Sequence, residues 1–224
     1  NALIETNIFG VSNIEVVKGP ASSLYGPEAV GGAINFITHR ATAMPTAKVG
    51  VQADQWGYRR IQYAAGGTLS RKLGVYVSGF EGRQRDAWQS NSDYDKSSVN
   101  VRFDYPISDK TTLTAAFAGN EYRSDMAGSV DSTAFYNRTY PSTTNFTYRE
   151  VHAHRTRLTA SHRWNDANET TLTLAYRDNY IEQVPNYGIR WTTGSPTASV
   201  ERNRNTFYSK VALLQHSLQF NFLD

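Results

Sequence analysis

The amino-acid sequence predicts an all-β architecture, a transmembrane antiparallel β-barrel of which about eight strands lie between Lys48 and Asp224. Three observations carry this expectation. From Lys48 onward, apolar and polar residues alternate with period two in segment after segment, which gives each strand one wet and one apolar face. Tight turns alternate with long loops, as they do when strands cross a bilayer and return. No run approaches the roughly 20 apolar residues of a membrane helix, and a barrel wall needs none, because only every second residue meets lipid.

The strands can be taken in order. Lys48 to Gln55 sets Val49, Val51 and Ala53 against Gly50, Gln52 and Asp54. Arg60 to Leu69 sets Ile61, Tyr63 and Ala65 against Arg60, Gln62 and Thr68, and Leu73 to Glu81 sets Val75 and Val77 against Gly74, Tyr76 and Ser78. Ser98 to Tyr105 is the cleanest, with Val99, Val101, Phe103 and Tyr105 opposite Ser98, Asn100, Arg102 and Asp104. Thr111 to Glu121 turns Leu113, Ala115 and Phe117 to the apolar side. Val151 to Trp164 sets Leu158, Ala160 and Trp164 against Arg155, Arg157, Thr159 and Arg163. Thr170 to Tyr180 and Thr206 to Leu223 complete the series through Leu172, Leu174, Tyr176, Tyr208, Ala212, Leu214 and Leu218.

The tight connections are Ser70-Arg71-Lys72, Ile107 to Lys110, and Asn165 to Asn168. The long ones are Gln84 to Ser97, Arg123 to Glu150, and Gln183 to Asn203. With the first strand rising, all three tight turns fall on the side from which the chain enters. A soluble β-sandwich or propeller would also alternate. Against it stand strands of ten or more residues, the lack of a repeating blade motif, and the wet-face arginines, which suit a polar lumen.

Residues Ile14 to Thr38 read IEVVKGPASSLYGPEAVGGAINFIT. Pro20 lacks a donor and ends the first short strand. Ala21 to Leu24 can make one helical turn that Gly26 terminates, and Gly31-Gly32 lets the backbone swing into a second strand. The pattern resembles the end of the plug domain of TonB-dependent outer-membrane receptors, through Glu15, Lys18, Gly19, Pro20, Leu24, Tyr25, Gly26, Ala29, Gly31, Gly32, Ile34, Asn35, Ile37 and Thr38. Lys18 stands where arginine is commoner, and Phe36 where isoleucine or valine is usual. A match in several parts is more specific than a lone glycine motif. A phosphate loop would need Gly-Lys-Ser/Thr, and a serine elbow Gly-x-Ser-x-Gly; neither is present.

The resemblance implies the C-terminal part of an α+β plug over residues 1–40, a hinge over 41–47, and barrel strands over 48–224. It places the chain in the outer membrane of a Gram-negative bacterium. It implies energised import, without catalysis or cofactor, of a scarce small-molecule ligand: an iron-siderophore complex, haem or cobalamin, or a glycan as the alternative. The expected partners are outer-membrane lipid and a TonB-type energy-transducing protein. That protein would grip a segment upstream of Asn1, and the start without methionine or leader fits an internal piece. The plug residues Glu15, Lys18, Gly19, Pro20, Leu24, Tyr25, Gly26, Gly31, Gly32 and Asn35 are then structural or gating. Glu15 and Lys18 are expected to pair with Arg102, Asp104, Arg155 or Arg157 on the barrel wall.

Ligand contacts are expected from the extracellular loops, at Trp88, Tyr94, Tyr122, Arg123, Tyr136, Tyr140, Tyr187 and Trp191. Ile4 and Ile8-Phe9 are expected to pack on the strand around Ile14 to Val17. The chain has no cysteine, which removes thiol chemistry. A net charge of +3 with scattered basic residues does not suggest nucleic-acid binding. His152 and His154 share a strand face, with His162 further along, but no carboxylate or third histidine sits at a convincing spacing for a metal. They are expected as surface residues above the bilayer, and no metal site is assigned.

Overall fold

A computed structural model of the 224-residue chain describes residues 7–20, 22, 29–69, 72–142, 144, 146–184 and 202–219. Two sheets form. Strands β1 (Val11–Lys18) and β2 (Gly32–Thr38) make an antiparallel hairpin with Glu15 opposite Asn35 and Lys18 opposite Gly32. The strand ends at Gly19-Pro20, where Gly19 takes φ +94° and donates its N–H to the Gly31 carbonyl at 3.2 Å. Gly32 has φ +150°, and a Cβ there would lie 2.5 Å from the Val17 carbonyl oxygen. A side chain at this position would force the hairpin open.

The second sheet holds eight strands in sequence order: β3 (Thr46–Ala53), β4 (Tyr58–Thr68), β5 (Gly74–Gln84), β6 (Tyr94–Ser108), β7 (Thr111–Asp125), β8 (Tyr148–Asn165), β9 (Asn168–Val184) and β10 (Asn203–Leu218). Each pairs antiparallel with the next, so the sheet is a wall of a partial barrel, with β3 and β10 at its edges. The expected alternation is realised. On β4, Arg60, Gln62 and Ala64 are buried on the inner face while Ile61 is exposed on the outer one. Among the described residues no helix is long and apolar enough to cross a membrane.

Strands run further than the alternation indicated. β6 begins at Tyr94 rather than Ser98, and β7 continues to Asp125 rather than Glu121. Above the apolar band both faces are wet, so the period-two signal fades while backbone pairing continues. The β7–β8 loop carries a short helix, α1 (Ser132–Tyr136), which the sequence did not announce; the Asp131 carboxylate caps it by accepting from the Ala134 N–H at 2.7 Å.

The base of the hairpin, residues 7–10 and 38–39, meets the inner face of β4 to β6. Tyr76 donates its hydroxyl to the Phe9 carbonyl at 2.7 Å, and His39 lies 5.5 Å from the Tyr76 ring. Arg102 donates to the Thr38 hydroxyl at 3.4 Å. The chain then passes the foot of the wall, where Thr68 donates to the Thr42 carbonyl and a Cβ on Gly67 would meet the Pro45 Cα at 2.9 Å. Phe9 therefore meets the wall and not the Ile14 to Val17 strand, because its carbonyl is fixed by Tyr76; Ile8 is exposed, and Ile4 lies outside the described residues.

Candidate functional site

The inner face divides into three zones. Where residues 7–10 meet it, it is built from small or neutral groups, including Gln62, Ala64 and Ser78, all buried. Below, Arg102 closes on Asp104 through two bonds of 2.7 and 2.9 Å, and Thr114 donates to the same carboxylate at 2.8 Å. This satisfies both charges within one strand. The expected pairs from Glu15 or Lys18 to Arg102 or Asp104 consequently do not form, and no bond joins them to Arg155 or Arg157. Glu15 instead accepts from the Asn35 side chain at 3.0 Å across the hairpin.

The second zone lies on β8 and β9. Arg155 stands directly opposite Arg177, with Arg157 one inner position along on β8. Inward projection follows from the register, since all three are in phase with Thr159 and Thr173, whose hydroxyls meet at 3.3 Å. Among the described residues no carboxylate pairs with any of the three arginines. Arg177 leans over the Phe207 ring at 5.7 Å, and its Nε is buried without a hydrogen-bond partner. Three like charges on a polar face form a focused positive field, suited to an anionic guest.

The third zone is the upper inner face. Tyr58, Tyr94 and Tyr122 form a group with ring centres 6.4 and 6.3 Å apart. Beneath it the Arg60 guanidinium lies 4.0 Å over the ring of Phe80, which is 1% exposed. Lys96 approaches both Phe80 and Tyr122 at 6.0 Å. An open depression of about 710 Å³ crosses the upper strand ends; most of its lining, with Glu81, Glu121, Arg123 and His152, is in the outer phase, and Arg60, Lys96 and Tyr122 join it from the inner phase. Sequence reasoning missed Phe80; an aromatic residue in the wet phase of β5, after Tyr76 and Ser78, was the available signal.

The anticipated loop residues separate into groups. Trp88 meets Tyr140 edge-on at 4.9 Å, and Tyr140 also faces Phe135 at 6.4 Å. Tyr136, on α1, is 81% exposed. Tyr94 and Tyr122 lie on strands, in the inner group just described. Arg123 is also on a strand but faces outward, where it stacks 5.0 Å over Tyr148 and approaches Glu150 at 3.7 Å. Tyr187 and Trp191 lie outside the described residues, as do Leu24, Tyr25 and Gly26 of the hairpin motif. The β5–β6 and β7–β8 loops are tied together: Asn91 donates to the Thr144 carbonyl at 2.6 Å, and Ser90 N–H to the Tyr140 carbonyl at 3.1 Å. In the loop between those strands the guanidinium of Arg85, held above its ordinary value by its bond to Asp95, closes a two-pronged ion pair at 2.6 Å.

One further side-chain group corrects the sequence reading. The β7–β8 register puts Glu121 opposite His152, on the outer face shared by His154. A carboxylate thus stands beside the two histidines after all. Because a long loop separates these strands, nothing in the sequence fixed that register.

The fold and this inner face define a class of architecture, the wall of an antiparallel β-barrel with a polar inner and an apolar outer face. No protein-family model matches the chain. Among curated proteins it is 28% identical over 182 residues to the iron-regulated outer membrane virulence protein of Vibrio cholerae, covering 75% of this chain and 27% of that protein. It is 22% identical over 210 residues to the ferrienterobactin receptor of Escherichia coli K12, covering 78% and 27%. The chain thus spans about a quarter of the length of these relatives. Among solved structures the ferric citrate transporter FecA in its unliganded form matches with TM-score 0.78 at 15% identity, covering 96% of this chain and 32% of that one. The siderophore receptor PiuA from Acinetobacter baumannii matches with TM-score 0.73 at 18% identity, covering 96% and 33%. The chain is therefore similar, over most of its length, to iron-linked outer-membrane receptors, and it shares their barrel fold.

Proposed function

We propose that the complete protein imports a ferric siderophore across the outer membrane, with an anionic chelate as cargo. The observation that carries this reading is the inner-face group Arg155, Arg157 and Arg177, cationic and without carboxylate partners among the described residues. Guanidinium groups present forked donors that match the oxygens of a chelate's carboxylate or catecholate arms. The names of the relatives, two of them iron-linked, favour a ferric chelate over haem, cobalamin or a glycan. The tyrosine group at Tyr58, Tyr94 and Tyr122 and the loop aromatics Trp88 and Tyr140 lie above, where a descending ligand first meets the wall. Tyr136, exposed on α1, joins this reading as a loop contact.

The mechanism transports cargo and makes or breaks no covalent bond. Binding at the loops and inner face is followed by rearrangement of the plug, driven through a TonB-type protein by the inner-membrane proton gradient. In this scheme the Glu15–Asn35 bond and the Gly32 swing keep the β1–β2 hairpin intact, while its contacts through Tyr76 and Thr38 tie it to the wall. The test is uptake of labelled ferric siderophores, haem, cobalamin and oligosaccharides by cells carrying the complete protein, with and without a proton uncoupler. Uncoupler-sensitive uptake of a ferric siderophore is the expected result. Uptake of every small solute regardless of uncoupler would show a passive pore.

A further inference from the structure

The outer face of the wall is arranged in rungs. Lowest among those that matter here runs an apolar band that includes Phe103, Ala115, Leu158 and Leu174, opposed in register from β6 to β9. Higher up, another rung joins Arg83, Asp95, Arg123, Glu150, Glu182 and Arg204. Between them lie the rungs that carry Glu121 opposite His152 and Gly119 opposite His154. The imidazoles thus stand above the apolar band and outside the lumen.

We infer that Glu121, His152 and His154 form a binding site for a divalent transition-metal ion, with zinc the best-suited class. His152 Nδ1 lies 3.3 Å and His154 Nε2 4.0 Å from the same Glu121 oxygen, Oε1. One ligand atom from each of the three residues falls within 4.8 Å of the others. A tetrahedral ion with arms of about 2.0–2.2 Å holds its ligands roughly 3.3–3.5 Å apart. The His152–Glu121 pair already meets that spacing. The His154–Glu121 pair must close by about half an ångström and the widest pair in the group by up to about 1.3 Å, movements open to Glu121, whose side chain is 61% exposed, and to the partly exposed His154.

Two imidazole nitrogens and one carboxylate oxygen suit zinc and its neighbours better than calcium or magnesium, which prefer all-oxygen cages. The rings are also braced. His152 stacks on Tyr180 with centres 5.0 Å apart and planes 9° from parallel, and the Tyr180 hydroxyl donates to Glu150 at 2.8 Å. His154 meets Phe117 edge-on at 5.5 Å. Ligand rings fixed by neighbours bind with less loss of freedom. Three protein ligands leave a fourth position open to water, and Asp178, opposite His154 in the β8–β9 register, stands next to it in the sheet. Because Glu121 comes from β7 and both histidines from β8, a bound ion would clamp the root of the loop that carries α1. This site is independent of the transport reading.

The test uses the complete protein, purified without a histidine tag and cleared of metal. Cobalt(II) is titrated as a spectroscopic probe, followed by zinc in competition. One equivalent of cobalt giving visible d–d absorption, displaced by one equivalent of zinc, is the expected result. His152→Ala and His154→Ala should each weaken binding by about 10- to 100-fold, and Glu121→Gln should weaken it less. His162→Ala, on the same face near the opposite strand end, should leave it unchanged. Circular dichroism confirms that each variant is folded. The wild-type titration decides independently: no saturable binding, or binding that survives His152→Ala/His154→Ala, overturns the assignment. Uptake assays with the same variants keep this result separate from the fate of the transport reading.

Discussion

The inner faces of β4–β5 and β8–β9 obey the same alternation yet carry opposite chemistry. The first presents Gln62, Ala64 and Ser78, buried where residues 7–10, ahead of β1, meet the wall; the second presents Arg155, Arg157 and Arg177, with no acidic partner among the described residues. A chain segment can approach where the wall offers small side chains and matched hydrogen bonds, as residues 9–10 do at Tyr76 and Ser78. Arginines placed there would each have to be desolvated and paired. The difference teaches that the strand period sets which face is wet, while residue size and charge within that face set what it receives.

The largest expected effect breaks the charged side of the comparison. Replacing either Arg155 or Arg177 by glutamine should weaken ferric-siderophore binding by about 10- to 100-fold, since hydrogen bonds to charged groups contribute roughly 1.5–3 kcal/mol. Equilibrium binding to the complete receptor in detergent checks this, and raised salt should narrow the gap between variant and wild type. On the covered side, Gly67→Val drives a side chain into the backbone of Pro45. Overpacking of this kind costs about 1–3 kcal/mol, seen as faster proteolysis near residues 41–45 and a lower unfolding temperature.

Smaller changes sharpen the picture. Tyr76→Phe removes the hydroxyl that holds the Phe9 carbonyl. It should cost about 0.5–1.5 kcal/mol, with hydrogen exchange rising at Phe9 and Gly10 and unchanged on β9. Glu15→Gln alters an exposed bond to Asn35 and should shift the unfolding temperature little, within about 0.5 kcal/mol. A larger loss there would mean that Glu15 has a second role in the assembled plug.

Much of the wall was legible because half-buried strands write their period into the sequence: Val99, Val101, Phe103 and Tyr105 fixed the phase of β6 before any coordinates. The hairpin was legible through its glycines and Pro20, whose backbone demands are local. Three things were not. The upper extensions at Tyr94 and Asp125 were hidden because both faces there meet water. The Arg102–Asp104 closure was hidden because two side chains on one strand face can meet each other before they meet a plug residue. The meeting of Glu121 with His152 depends on pairing across the long β7–β8 loop, and no local pattern encodes that register. Sequence placed Arg123 in a ligand loop, whereas the β7 phase turns it outward onto Tyr148.

The most direct test of the divided inner face exploits the absence of cysteine from the chain. Single cysteines are introduced at Gln62, buried beside Phe9, and at Thr159, beside the arginines, in the complete protein. Labelling by a small, charged, water-soluble thiol reagent is then timed in outer-membrane vesicles with and without a ferric siderophore. The expected result is rapid labelling at Thr159→Cys that the ferric siderophore slows and cobalamin does not, with Gln62→Cys refractory throughout. Equal labelling at the two positions, untouched by any chelate, would contradict both the covered wall and the arginine-lined binding face.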